Sequence, residues 1–426
     1  MRRRTLGDMT KVSAGQVFVA GGLPTVTYNP RAGLRLEDRL RDYLDERHKI
    51  LSVSGPTKSG KTVLLRSVIK DGVWLAGGEI GTVPDFWGTV GDKLEVLLEE
   101  QIASRDEETT SSATSGGGQI KPLGIGGAAE HQRGQSNTTG ETKTRARKRP
   151  TQPAVKEALE RLRPVIVIDD FHYMPQDVQL GIVRGVKDLV FQGLGVVLAA
   201  VPHRAYDAVR VEREMTGRVV QLPIEFWSRE ELLGISREGF AALNVLDSGE
   251  TLSRRLADES FRSPFLMQDF CLQLVKESGV RETAAEPVTL EAPDWDAFFR
   301  AQASTASKSA FDRLAQGPRQ RRDRKERRLR DERVTDIYGA VLAAIAYTGP
   351  LTQLTYVELR GALRQVLKDE PPSQPEVTRV LQEMSKIAKE RIEGEPVVDY
   401  DTELETLYIS DPFFAYFLRW GIPAIS

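Results

Sequence analysis

LSVSGPTKSGKTVLLRSVI, residues 51–69, decides how the chain is read. It opens on a β-rich apolar run and closes on TVLLRSVI, whose apolar residues recur at helical spacing. Between them, Gly55-Pro56-Thr57-Lys58-Ser59-Gly60-Lys61-Thr62 fits G-x-x-x-x-G-K-[ST] with nothing missing. Each part has a chemical reason. Glycines let successive backbone N–H groups turn inward around an anion, where a Cβ would obstruct them. The following helix points its N-terminus at the same anion. Lys61 reaches the β- and γ-phosphates as a point charge, and the Thr62 hydroxyl can be offered to Mg²⁺. The strand–loop–helix context favours a phosphate cradle over a glycine-rich turn with an incidental lysine.

Composition sets the limits around this stretch. A chain of 426 residues implies two or three domains, and a hydrophobic fraction of 40% is enough for real cores. The net charge of −2 gives no global pull toward nucleic acid or membrane, so any such binding needs a local patch. A single cysteine, Cys271 in the amphipathic run FLMQDFCLQL, excludes an internal disulfide and reads as a small core residue. Four histidines without metal-ligand spacing argue against a zinc site. No apolar run reaches transmembrane length, and the basic start MRRRTLGDMTKVSAG has no apolar segment behind it. The expected compartment is the cytoplasm.

The chain divides by pattern. Residues 1–47 form an entry segment, and 48–245 alternate strands with helices. Strands are expected at 49–54, 72–77, 164–169, 195–201 and 217–223. Helices are expected at 61–70, 84–103, 154–162, 176–192, 204–214 and 228–242. Such alternation predicts an α/β fold with a mostly parallel sheet covered on both faces. Residues 104–153 are dominated by Ser, Thr, Gly and charge and read as a disordered insertion. A helical segment spans 246–311, an arginine-rich linker 312–333, and a last domain 334–426.

A cradle alone also suits a kinase or a GTPase. The decisive partner is RPVIVIDDFHYMP, where Val165 to Ile168 run into Asp169-Asp170. A buried parallel strand looks like this, with the acidic pair at its carboxyl end beside the cradle. Asp169 is placed to hold Mg²⁺ directly or through water, and Asp170 to orient and polarise an attacking water. The competing reading is a core strand ending in a solvated acidic turn.

With VIVIDD behind the intact cradle, the chain resembles the AAA+ and STAND branch of P-loop ATPases, and origin-recognition-like and archaeal-type ATPases among them. That resemblance implies ATP and Mg²⁺ as ligands, ATP hydrolysis, a helical lid after the core, and self-association through the ATPase core. GVVLAAVPHRAYD resembles the sensor-1 strand, which makes His203 the candidate facing the γ-phosphate, against a plain turn residue. EMTGRVVQLPIEFWSREELLGI resembles the segment that ends the core. There Arg218 matches the arginine that reaches a neighbouring subunit, with Arg204, Arg210 and Arg213 as competitors. Ser228 with Glu231 forms a capping box opening the lid. ADESFRSPFLMQDF resembles the sensor-2 region, but lacks the usual arginine after Gly-x-Pro, leaving only Arg262. FVAGGLPTVTYNPRAGLRLEDRL resembles the adenine-wrapping entry of the STAND and origin-recognition proteins, with Tyr28 and Arg31 as candidates.

Residues 334–426 read as three helices and a β-hairpin, the winged-helix pattern. LYISDPFFAYFLRWG resembles the closing segment of archaeal-type ATPases, with Asp411 as N-cap and Pro412 at the first helical position. The third helix mixes Arg379, Lys386, Lys389 and Arg391 with Glu376, Glu383 and Glu390, which makes a weak basic face. Arg319, Arg321, Arg322, Arg324, Lys325, Arg327, Arg328 and Arg330 are the stronger candidates for DNA phosphates. The alternative is a solvated linker, because acidic residues interleave. Three roles stay open: a nucleotide-driven switch, a DNA-engaging initiator or loader, and a bacterial defence ATPase recruiting an effector protein. A small-molecule kinase fits the acidic pair and lid less well.

Overall fold

A computed structural model describes residues 11–95, 152–201, 217–303, 305–319, 323–349, 351–392 and 396–422. The first unit is built on a five-stranded parallel sheet: β1 (Ile50–Ser54), β2 (Gly72–Ala76), β3 (Val165–Asp169), β4 (Gly195–Ala200) and β5 (Val219–Pro223). Their spatial order is β2-β3-β4-β1-β5, with Ile50 opposite Val196 on one side and Val219 on the other. This is the parallel α/β sheet, covered on both faces, that the sequence implied.

Strand periodicity of two sorts the side chains onto two faces. Ile50, Ile166, Ile168, Val196 and Leu198 join one core with Phe86 and Trp87, under the helices Val83–Lys93, Gln152–Leu162 and Gln176–Phe191. Leu51, Val53, Val165, Val167, Val197 and Ala199 join the other, under Leu36–Glu46 and Lys61–Val68. Both faces are covered, so β1 and β4 read as unbroken buried runs.

Strand β4 lies between β1 and β3, so the acidic pair comes beside the cradle across one intervening strand. Spatial order is set by crossover helices and leaves no local trace in either strand.

The lid follows, as helices Arg229–Leu243, Thr251–Glu259, Pro264–Glu277 and Trp295–Ala301, with a short parallel pair of β6 (Val245–Leu246) and β7 (Val288–Thr289). Ser228 and Glu231 form the expected capping box. Cys271 is fully buried in the lid core. The entry segment divides: Ala14, Val17 and Phe18 join the lid's core, while the helix Leu36–Glu46 packs on the sheet.

The stretch expected as an arginine-rich linker carries regular structure where it is described. The helix Thr305–Gln316 buries Ala310 and Leu314, and β8 (Arg327–Arg328) pairs antiparallel with β9 (Val334–Thr335) around a buried Leu329. Three apolar anchors among many charges are hard to see in a sequence. The winged helix then runs Ile337–Tyr347, β10 (Gln353–Thr355), Tyr356–Val366, Gln374–Arg391, β11 (Val398–Asp401) and β12 (Thr406–Ile409), with sheet order β10-β12-β11. Strand β10, only three residues long, adds a third strand to the expected hairpin.

A closing helix, Pro412–Trp420, starts as expected, with the Asp411 side chain accepting from the Phe413 N–H at 2.8 Å. It packs back onto the lid. Lid and winged helix therefore share one continuous apolar core, distinct from the two cores of the sheet. Among the described residues, no helix is long and apolar enough to cross a membrane.

Candidate functional site

The cradle is built where β1 ends. Gly60 takes φ +95° at the start of the helix Lys61–Val68, a conformation that a side chain would strain. Lys61 is buried and donates to the Gly55 and Pro56 carbonyls, both at 2.9 Å, so its ammonium is curled into the loop. The loop is fixed from the lid hinge, where Trp227 Nε1–H donates to the Ser59 carbonyl at 2.8 Å.

Thr62 Oγ1 donates to Asp169 Oδ2 at 2.7 Å, bridging the intervening strand. The other carboxylate oxygen, Oδ1, accepts from the Asp170 N–H at 3.1 Å. Asp170 itself sits in the left-handed region at φ +53°. Its turn is possible because Gly77 passes close by: a Cβ there would stand 2.2 Å from the Asp170 carbonyl oxygen. Burial, and the Asp169 charge beside it, push the Asp170 carboxyl up; Lys61 and Lys58 pull it back.

Lys61, Thr62 and Asp170 line a cavity of about 840 Å³ between the cradle, the entry segment, the lid and the closing helix. Two buried hydroxyls of the cradle, Thr57 Oγ1 and Ser59 Oγ, have no hydrogen-bond partner. Buried polar atoms are ordinarily paired, so donors left over in a glycine-rich cationic loop fit an oxyanion. The Thr62 and Asp169 oxygens are the hard donors that suit Mg²⁺. No cluster of three or more His, Cys, Asp or Glu able to hold a metal occurs among the described residues.

The remaining candidates fall in different places. Tyr28 lines the cavity, but its hydroxyl donates to Glu37 at 2.7 Å, and burial together with that bond pushes its pKa up to about 12. Arg31 also lines the cavity, yet its guanidinium is occupied. It donates to both Glu231 oxygens at 2.8 and 3.1 Å, to the Glu225 and Phe226 carbonyls, and lies over the Trp227 ring. In this arrangement Arg31 is a strut between entry segment and lid hinge.

Arg218 stands exposed at the amino end of β5, the end of the sheet away from its own cradle. Over the length of a five-residue strand, that is about 15 Å. Arg262 donates to the Trp227 carbonyl at 3.2 Å and covers the Phe226 ring. His203, Arg204, Arg210 and Arg213 lie outside the described residues.

Sequence reasoning missed Trp227, Gly77 and the wall formed by Phe265 and Phe413. None carries a motif, and each matters only through contacts distant in the chain.

No family model and no curated protein matches this chain. Solved structures do. Cdc6p from Pyrobaculum aerophilum is 11% identical with a TM-score of 0.41, covering 94% of this chain and 96% of that one. The ORC1 protein of Aeropyrum pernix, solved in complex with DNA, is 13% identical with a TM-score of 0.44, covering 96% of each. A STAND protein with a tetratricopeptide repeat sensor from Pyrococcus horikoshii is 12% identical with a TM-score of 0.34, covering 91% of this chain and 42% of that one. These are likenesses of fold.

Proposed function

We propose that the chain binds ATP with Mg²⁺ in this cavity, hydrolyses it, and uses the nucleotide state to reposition the lid together with the winged helix. The observation that carries the reading is the 2.7 Å hydrogen bond from Thr62 to Asp169, which brings together the two oxygen donors a metal would need. When bound, Mg²⁺ neutralises charge on the phosphate oxygens. The chain's own residues do the rest. The Gly55–Thr62 backbone cradles the phosphates, and Lys61 leaves its carbonyl partners to meet them. Asp170, at the cavity wall, orients the attacking water and accepts its proton. Arg218, exposed and remote from its own cradle, would act on the cradle of a neighbouring copy in a self-associated form.

The test is isothermal titration with ATP and Mg²⁺. Lys61→Ala should weaken binding by at least about a hundredfold, because the phosphates lose the loop's buried cation. Unchanged affinity would sink the assignment.

DNA engagement is the second reading. It draws on Arg319, Lys325, Arg328 and Arg330, which are exposed beside the winged helix. Stimulation of ATP hydrolysis by duplex DNA would favour it. Without such stimulation, the role left is a switch that recruits an effector protein.

A further inference from the structure

Lys58 stands out within the cradle. It is exposed at the cavity mouth in the left-handed region, at φ +57°. Its ammonium lies 5.2 Å from the centre of the Phe265 ring, on the lid, and 5.3 Å from that of Phe413, at the start of the closing helix. Two residues before Phe413, Asp411 lines the same cavity. Burial pushes the Asp411 carboxyl up and the Lys58 charge pulls it back, as that charge also does at Asp170. One exposed cation of the cradle therefore shares a cavity with an acid at the start of the closing helix and an acid of the sheet.

We propose that Lys58 and Asp411 set the discrimination between nucleoside diphosphates and triphosphates. Lys58 has two alternative anionic partners, Asp411 and the end of the polyphosphate. Asp411 keeps Lys58 at the aromatic pair and repels added negative charge in the cavity. Each further phosphate charge strengthens the pull on Lys58 away from the closing helix. This inference rests on the nucleotide reading of the cavity.

Asp411→Asn isolates the charge, because asparagine also caps helices well and can keep the bond from the Phe413 N–H. Titrations with ADP and with a non-hydrolysable ATP analogue, each with Mg²⁺, are compared for the parent, Asp411→Asn, Lys58→Met and the double variant. Removing a unit charge from a partly solvated cavity should raise triphosphate affinity by roughly tenfold and diphosphate affinity by roughly threefold. In the Lys58→Met background that gain should at least halve, since part of it comes from freeing Lys58. Equal gains for the two nucleotides, or none, would overturn the proposal. If Asp411→Asn fails to fold, Lys58→Met decides alone: it must weaken the triphosphate more than the diphosphate. Lys61→Ala is the control for the site. If the parent binds neither nucleotide, the nucleotide reading falls and this inference with it. If the parent binds and Lys61→Ala does not, an unmoved triphosphate-to-diphosphate ratio defeats this inference alone.

Discussion

Asp170 carries a cost beside its proposed role. Its carboxyl is raised by burial and by Asp169, against the pull of Lys61 and Lys58. A carboxyl raised on folding contributes stability while protonated, below the ordinary carboxylate value near 4. That contribution is lost as pH rises through the folded value, so ionised Asp170 is a penalty at neutral pH. Asp170→Asn should therefore raise the melting temperature at pH 7–8, and the advantage should fade toward pH 4. Nucleotide binding should persist, because Thr62 and Asp169 survive, while turnover should fall at least about a hundredfold. Melting scans at the two pH values, with steady-state hydrolysis, check this. An advantage of equal size at both would show that the charge is not its cause.

The closing helix, Pro412–Trp420, carries the argument at the scale of elements. Buried Glu259, on the lid, receives Arg419 and Trp420 from it, at 2.8–3.1 Å, and Arg255 from its own helix at 3.2 Å. Tyr416 completes the joint by packing its ring against Phe270 and Phe261. Glu259→Ala strands two arginines and an indole N–H. With the arginines partly solvated, the expected loss is about 2–3 kcal/mol, read from urea denaturation of the lid and winged helix. A loss within experimental error would show that apolar packing alone holds the helix.

The start of this helix was legible, because Asp-Pro is a local signal. Its destination was not, because a side chain's partner far away in the chain leaves no periodicity. The same division holds at the site. The cradle and VIVIDD are contiguous motifs tied to local backbone shape, so the sequence carried them. The occupation of Arg31 by Glu231 and two hinge carbonyls needs two segments far apart in the chain brought together. So does the fold of the arginine-rich stretch, where Leu314 and Leu329 outweigh the charges around them.

For the whole molecule, burial limits what the arginine-rich stretch can offer DNA. Arg324 is paired with Asp336 and donates to the Gln316 and Pro318 carbonyls; Arg327 is buried and faces Glu376. Of the eight cations between 319 and 330, these two are engaged internally, which leaves at most six for phosphates. Counterion release then caps the slope of log affinity against log salt at about 5. Fluorescence anisotropy with a labelled duplex across a salt series measures it. A steeper slope would mean that another surface takes part, with the third helix of the winged helix the first to mutate.

The return of Pro412–Trp420 to the lid also orders events during synthesis. Chains fold domain by domain as they emerge, and every strand of the parallel sheet has been made by Pro223. The lid cannot complete its core then, because Phe261, Phe270 and Glu259 await partners that the ribosome adds some 150 residues later. In the interval the nascent chain carries a sheet able to fold beneath a lid whose apolar core stays unfinished until Tyr416 and Trp420 arrive.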